Sequence, residues 1–92
     1  MLIIVSYDII EDKKRTKVAK ELLNFGKRVQ YSVFECDLKP EKIEAMKKRV
    51  MNFVDLEKDS LRIYYLCQTC RQQIESYGVK QGWESEADTQ II

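Results

Sequence analysis

No histidine occurs among the 92 residues. That excludes a histidine general base, a histidine metal ligand and the Ser-His and Cys-His nucleophile pairs. Any catalysis must use carboxylates, hydroxyls, thiols, amines or a bound metal. Cysteine occurs three times, an odd number that argues for reduced thiols rather than a disulfide framework. No apolar run approaches the length that spans a membrane. The chain opens directly on strand-forming residues with no leader, so a cytoplasmic location and no membrane partner are expected. Internal repeats are absent, and the net charge is only +1. A chain of this length makes one domain, small but able to bury a core.

Charge is scarce in sum but not in distribution. Residues 1–49 hold 12 Lys/Arg against 8 Asp/Glu, and residues 50–92 hold 4 against 7. The basic excess is densest from Lys13 to Arg28, a pattern that suits a polyanion partner. A solvated helix face is the commoner meaning of such a run.

The stretch Met1-Leu2-Ile3-Ile4-Val5-Ser6-Tyr7-Asp8 reads as a strand buried on both faces. Asp8 stands where that strand meets a loop before a basic helix. A carboxylate there can hold a metal against a phosphate, or simply cap the loop. The spacing then predicts a helix from Lys13 to Phe25, with Asp12 as N-cap and Gly26 at the stop. Val18, Ala19, Leu22 and Phe25 share its apolar face. The cationic first turn, Lys13-Lys14-Arg15, opposes the helix dipole and hints at an anion near the helix start. Lys27–Asp37 reads as one bent strand or two short ones. Pro40 opens a second helix carrying Ile43, Met46, Val50, Phe53 and Val54 on one side. Ser60–Cys67 is a further strand, Gln68–Gln73 a loop or one helical turn, and Ile74–Tyr77 a short last strand.

This order fits an α+β, ferredoxin-like βαββαβ fold with an antiparallel sheet. Residues 1–78 form the core domain, and 79–92 form an acidic tail with Trp83 and a terminal Ile91-Ile92. Two helices cover only one face of such a sheet, yet the strands carry apolar groups on both. An uncovered apolar face predicts a homodimer packed sheet face to sheet face. The tail then adds a strand at the dimer or partner interface.

Several local patterns coincide with that architecture. Tyr7-Asp8-Ile9 closes the first strand, and Lys14, Arg15 and Lys17 open the helix. Gly26 precedes Arg28-Val29-Gln30-Tyr31-Ser32-Val33-Phe34-Glu35, and Asp59-Ser60-Leu61-Arg62-Ile63-Tyr64 follows later. Together they resemble the CRISPR-associated protein 2 family, the small partner of the adaptation integrase, over residues 1–78. The resemblance implies a symmetric dimer acting as an Mg2+-dependent endonuclease on RNA or double-stranded DNA, with a part in spacer acquisition and antiviral defence. Carried over by position, it implies a catalytic pair in Asp8 and Tyr7, with Asp8 the metal ligand. One Mg2+ would be shared by the two Asp8 of the dimer. Lys14, Arg15, Lys17, Arg28 and Ser32 would bind nucleic acid, and Phe34 would be structural. Lys17 stands where arginine is expected, which keeps charge but loses the planar fork.

Other readings stay open. The same dimer could be a non-catalytic DNA scaffold bridging the CRISPR integrase, a toxin-type ribonuclease of the same fold, or a small regulatory domain. Cys67-Gln68-Thr69-Cys70 has spacing that suits zinc or redox chemistry. With no second pair and no histidine, half-buried thiols at a strand end are the plainer reading. Tyr31, Phe34, Tyr64 and Tyr65 could stack bases, or pack if their sheet face is covered.

Overall fold

The structure, a computed structural model, is described for residues 1–78. The elements run β1 (Leu2–Asp8), α1 (Asp12–Leu23), β2 (Lys27–Gln30), β3 (Val33–Asp37), α2 (Pro40–Met51), β4 (Ser60–Leu66) and α3 (Gln68–Gln72). The four strands form one sheet in the order β2-β3-β1-β4, antiparallel throughout. This is the expected ferredoxin-like arrangement. Among the described residues no helix is long and apolar enough to cross a membrane. The tail expected at 79–92 lies outside the described residues.

Alternation along β1 divides the sheet. Ile3, Val5 and Tyr7 point to the helices and are buried. They sit opposite Cys36, Phe34 and the Tyr65-Ile63-Leu61 series on their two neighbours. Val18, Ala19 and Leu22 of α1, with Ile43, Met46 and Val50 of α2, close the core from above. Burying each Ile, Val or Phe of this set stabilises the fold by about 1.5–3 kcal/mol before entropy is counted. The other face carries Leu2, Ile4, Ser6 and Asp8, flanked by Val33 and Glu35 on β3 and by Tyr64 and Leu66 on β4. Ile4 and Ser6 are only half-buried, so β1 is not sealed on both faces as its sequence suggested.

Local differences have local causes. Lys27–Asp37 is two strands, because Tyr31 and Ser32 turn the chain and the register shifts between Arg28 and Gln30. Glu11, not Asp12, is the N-cap of α1, and it makes no side-chain cap bond. Asp12 is the first helical residue, its carboxylate engaged by Arg15. Pro40 does open α2. Residues 74–77 carry no strand, contrary to expectation. Instead α3 turns back, and Arg71 Nη2 reaches Asp37 Oδ2 at 2.6 Å. Asp37 lies on β3, beyond β1 from α3, so this bridge crosses the open face near Leu2. The N-terminal ammonium meets Asp37 from another side at 3.4 Å.

Gly26 was expected to stop α1 through a left-handed backbone. Among the described residues positive φ occurs only at Gly78. Gly26 is needed for close approach instead, since a Cβ there would run into the Glu35 carbonyl and lie 2.5 Å from Cys36 Sγ. Those atoms belong to β3 and cannot swing away. Gly26→Ala should therefore cost about 1–3 kcal/mol as β2 is pushed off β3. Thermal unfolding should show a drop of several degrees, and an unchanged midpoint would contradict the close approach.

Candidate functional site

The carboxyl end of β1 gathers most of the chemistry-bearing residues. Asp8 ends the strand exposed, opposite Ser60 at the start of β4. Its place in the alternation puts its carboxylate on the open face. The β2–β3 turn lies at the same end, where Tyr7 N–H donates to the Ser32 carbonyl at 3.2 Å. The start of α1, with Lys13 and Lys14, follows three residues after Ile9, so the basic turn belongs to this end too.

The loop from Ile9 to Asp12 is clamped from two sides. Arg15 Nη1 donates to the Ile9 carbonyl at 2.8 Å while its other nitrogen pairs with Asp12. Asp12 and, to a lesser degree, Tyr31 hold the Arg15 guanidinium above its ordinary pKa. From the β4 side, Asp59 accepts from Ile10 N–H at 3.0 Å and from Asp55 N–H at 2.9 Å. Arg15 thus spends donors on the Ile9 carbonyl and the Asp12 carboxylate, which gives a cation in the helix's first turn a structural use. Asp59 is a positioning residue that reading the sequence missed. Its place directly before the strand that faces Asp8 was visible, but its bond to the Ile10 amide is set by tertiary structure.

The other expected residues are divided between the faces. Tyr7 is 4% exposed and packs on the helix side, its ring stacked on Phe34 with centroids 6.3 Å apart. Its hydroxyl is buried with no hydrogen-bond partner among the described residues. The period of two forbids Tyr7 and Asp8 from sharing a face, so their side chains do not converge as an adjacent catalytic pair would. Phe34 is fully buried, which fits a structural role and removes it from base stacking. Arg28 lies opposite Phe34 and holds its guanidinium 5.2 Å from that ring and 5.7 Å from Tyr31. Lys17 sits over Phe53 at 5.5 Å, joining α1 to the end of α2. Arg28 is therefore on the helix face, opposite Asp8, while Lys14 is half-buried near Asp59 and lowers its pKa by charge. Cys67 and Cys70 are exposed, not half-buried as expected.

Among the described residues no three Cys, Asp or Glu side chains gather closely enough to hold a metal ion. At the carboxyl end of β1 one chain offers the Asp8 carboxylate to the open face, while Glu35 and Asp37 of β3 lie beside Ile4 and Leu2, toward the other end.

The chain resembles proteins of known name in sequence and fold. A family model described as CRISPR associated protein Cas2 matches residues 1–74. A protein named CRISPR-associated endoribonuclease Cas2 1 from Chloroflexus aurantiacus is 43% identical over the whole of both chains. CRISPR-associated endonuclease Cas2 of Halalkalibacterium halodurans is 39% identical over 87% of this chain and 88% of its own length. The crystal structure of Streptococcus pyogenes Cas2 superposes with a TM-score of 0.75 and 34% identity, covering 85% of this chain and all of that one.

The Asp59 clamp has a pH signature. Hydrogen bonds from Ile10 and then Asp55 hold its carboxyl below the ordinary value of 3.8. A depressed folded pKa contributes stability above the unfolded value, and that contribution disappears as pH falls through the folded one. The melting temperature should fall below about pH 4, and Asp59→Asn should make that fall shallower. An acid profile identical in wild type and variant would remove Asp59 from the clamp.

Proposed function

The chain belongs to the CRISPR associated protein Cas2 family, and from that premise we propose that it is a divalent-metal-dependent endonuclease acting as a homodimer on RNA or double-stranded DNA. The names of its relatives, endoribonuclease and endonuclease, support the reaction class. The observation that carries the reading here is Asp8: an exposed carboxylate at the carboxyl end of the central strand, on the face the helices leave open. Packing two such faces about a twofold axis would cover Ile4, Val33, Tyr64 and Leu66 and bring in a second Asp8.

Two carboxylates fit Mg2+, which takes few protein ligands and keeps several waters. When bound, the cation supplies charge stabilisation at the scissile phosphate and a more acidic water. The chain's own residues do the rest. Asp8 of each protomer holds its carboxylate at the seam. Asp59 and Arg15 fix the loop that leaves it. Lys13 and Lys14, at the same end, are placed to hold the flanking backbone. Tyr7 positions Asp8 by anchoring the strand in the core through Phe34, rather than by touching the reacting atoms. With no histidine in the chain, no side chain supplies the ordinary neutral-pH base.

A second reading has its own observation. Arg28 faces the helix side with Lys17 on the helical layer, away from Asp8. Cations there suit a duplex lying along the outside of the dimer, as in a DNA-binding bridge to an integrase during spacer acquisition.

Two measurements test the enzyme reading. Asp8→Asn keeps size and removes the charge a hard cation needs, so cleavage of RNA and DNA with Mg2+ should fall at least about a hundredfold. Binding should survive. Cleavage by the wild type that persists in chelator, or equal cleavage by the variant, would sink the metal role. Sedimentation equilibrium should give a two-chain species, and a monomer of 10.9 kDa at micromolar concentration would remove the paired site.

A further inference from the structure

Cys67 and Cys70 take no part in the site above. Both are free and exposed, and they stand at the hinge between β4 and α3. Cys67 is extended, with φ −72° and ψ 172°, and its Sγ accepts from the Cys70 N–H at 3.4 Å. The turn closes behind them, as Arg71 N–H donates to the Cys67 carbonyl at 2.9 Å. Residues three apart around such a turn bring their Cβ atoms to within about 5–6 Å. A disulfide needs only a small further approach. The third thiol is out of play: Cys36 is fully buried in the core, and burial pushes it up to about 11.

The two exposed thiols are not equivalent. Hydrogen bonds from the Cys70 backbone and then its thiol lower Cys67, while Cys67 raises Cys70. A thiol favoured as thiolate is the one that attacks, and its neighbour is the one that resolves. Directly after the pair, Arg71 makes the 2.6 Å bridge that ties α3 to Asp37 at the end of β3.

We propose that Cys67 and Cys70 are a redox latch: a dithiol that exchanges with small aliphatic disulfides and, on closing, pins α3 and its Arg71–Asp37 bridge against the sheet. The Cys67 thiolate attacks one sulfur of the disulfide, forms a mixed disulfide and expels one thiolate. Cys70 gives its proton to solvent, attacks Cys67 Sγ, forms the internal bond and expels the second thiolate. The protein dithiol loses two electrons, and the small disulfide is reduced to two thiols. Under reducing conditions the latch stands open. Closure removes freedom from the turn out of which residues 71–78 leave the sheet, and so limits the motion of α3 over the face that carries Asp8.

The test uses the full reduced chain and oxidised glutathione near neutral pH. Intact mass should show loss of two hydrogens without a retained adduct, mapped to a Cys67–Cys70 bond. Cys70→Ser should stop at one glutathione on Cys67, and Cys67→Ser should react at least about tenfold more slowly than Cys70→Ser. Trypsin cleavage after Arg71 should slow at least about threefold in the closed form, as opening becomes rarer. The double variant Cys67→Ser/Cys70→Ser should show no response to the disulfide. Mixed disulfides that accumulate without internal closure, equal rates for the two single variants, or equal cleavage after Arg71 in open and closed forms would each overturn the latch.

Discussion

Pairing of Leu2–Asp8 with a strand on either side is the constraint on which the rest depends. β1 is bonded to β3 through five residue pairs and to β4 through seven. Because side chains alternate, one residue of slip would send Ile3, Val5 and Tyr7 to the open face and drive Asp8 into the core. The core and the exposed carboxylate therefore have the same origin. A sheet that buries Tyr7 against Phe34 must present Asp8 on its other side.

The loop after Asp8 inherits its shape from that pairing and from two charged side chains. Arg15 grips the Ile9 carbonyl, and Asp59 grips the Ile10 amide. Successive residues are thus held from opposite sides, one through an acceptor and one through a donor. Backbone groups that would otherwise need water are satisfied, and the strand end is kept from fraying. Arginine here acts first as a structural clamp, and its charge reaches solvent only through what its contacts leave. The nearby lysines, with one compact ammonium each, are better suited to a mobile phosphate backbone.

Much of the fold was legible because it rests on local signals. The apolar run of β1, the three-and-four spacing of Val18, Ala19 and Leu22, and Pro40 at the start of α2 all pointed to their elements. The Lys27–Asp37 run stayed open between one strand and two, because the deciding turn at Tyr31-Ser32 contains neither glycine nor proline. Asp12 resembled an N-cap, but Arg15 claimed its carboxylate. Gly26 resembled a helix stop, but its reason lies nine and ten residues away, in Glu35 and Cys36. Ile74–Tyr77 had β-forming residues and no strand to pair with, since α3 had already turned the chain. At the site, Asp8 could be found from its place at a strand end. The clamp of Asp59 could not, because the amide it grips at Ile10 comes from a loop 49 residues away in the chain.

The family resemblance grouped Tyr7, Asp8 and Arg28 at one site, and the sheet separates them. Successive side chains along a strand point to opposite faces, so Asp8 stands on one side of the layer and Tyr7 and Arg28 on the other. A phosphate held at Arg28 is then not the phosphate presented to Asp8 of the same protomer. Under the proposed function, gripping and cutting would fall on different surfaces, joined by a nucleic acid long enough to pass around the sheet end or by a second copy of the chain. That separation would make binding without cleavage mechanically simple: the helix-side cations need no metal, while in the proposed site the open-face carboxylate would need both an ion and a partner. Under the proposed function, one fold would hold nucleic acid with the Asp8 seam empty or filled, and only a filled seam would cut.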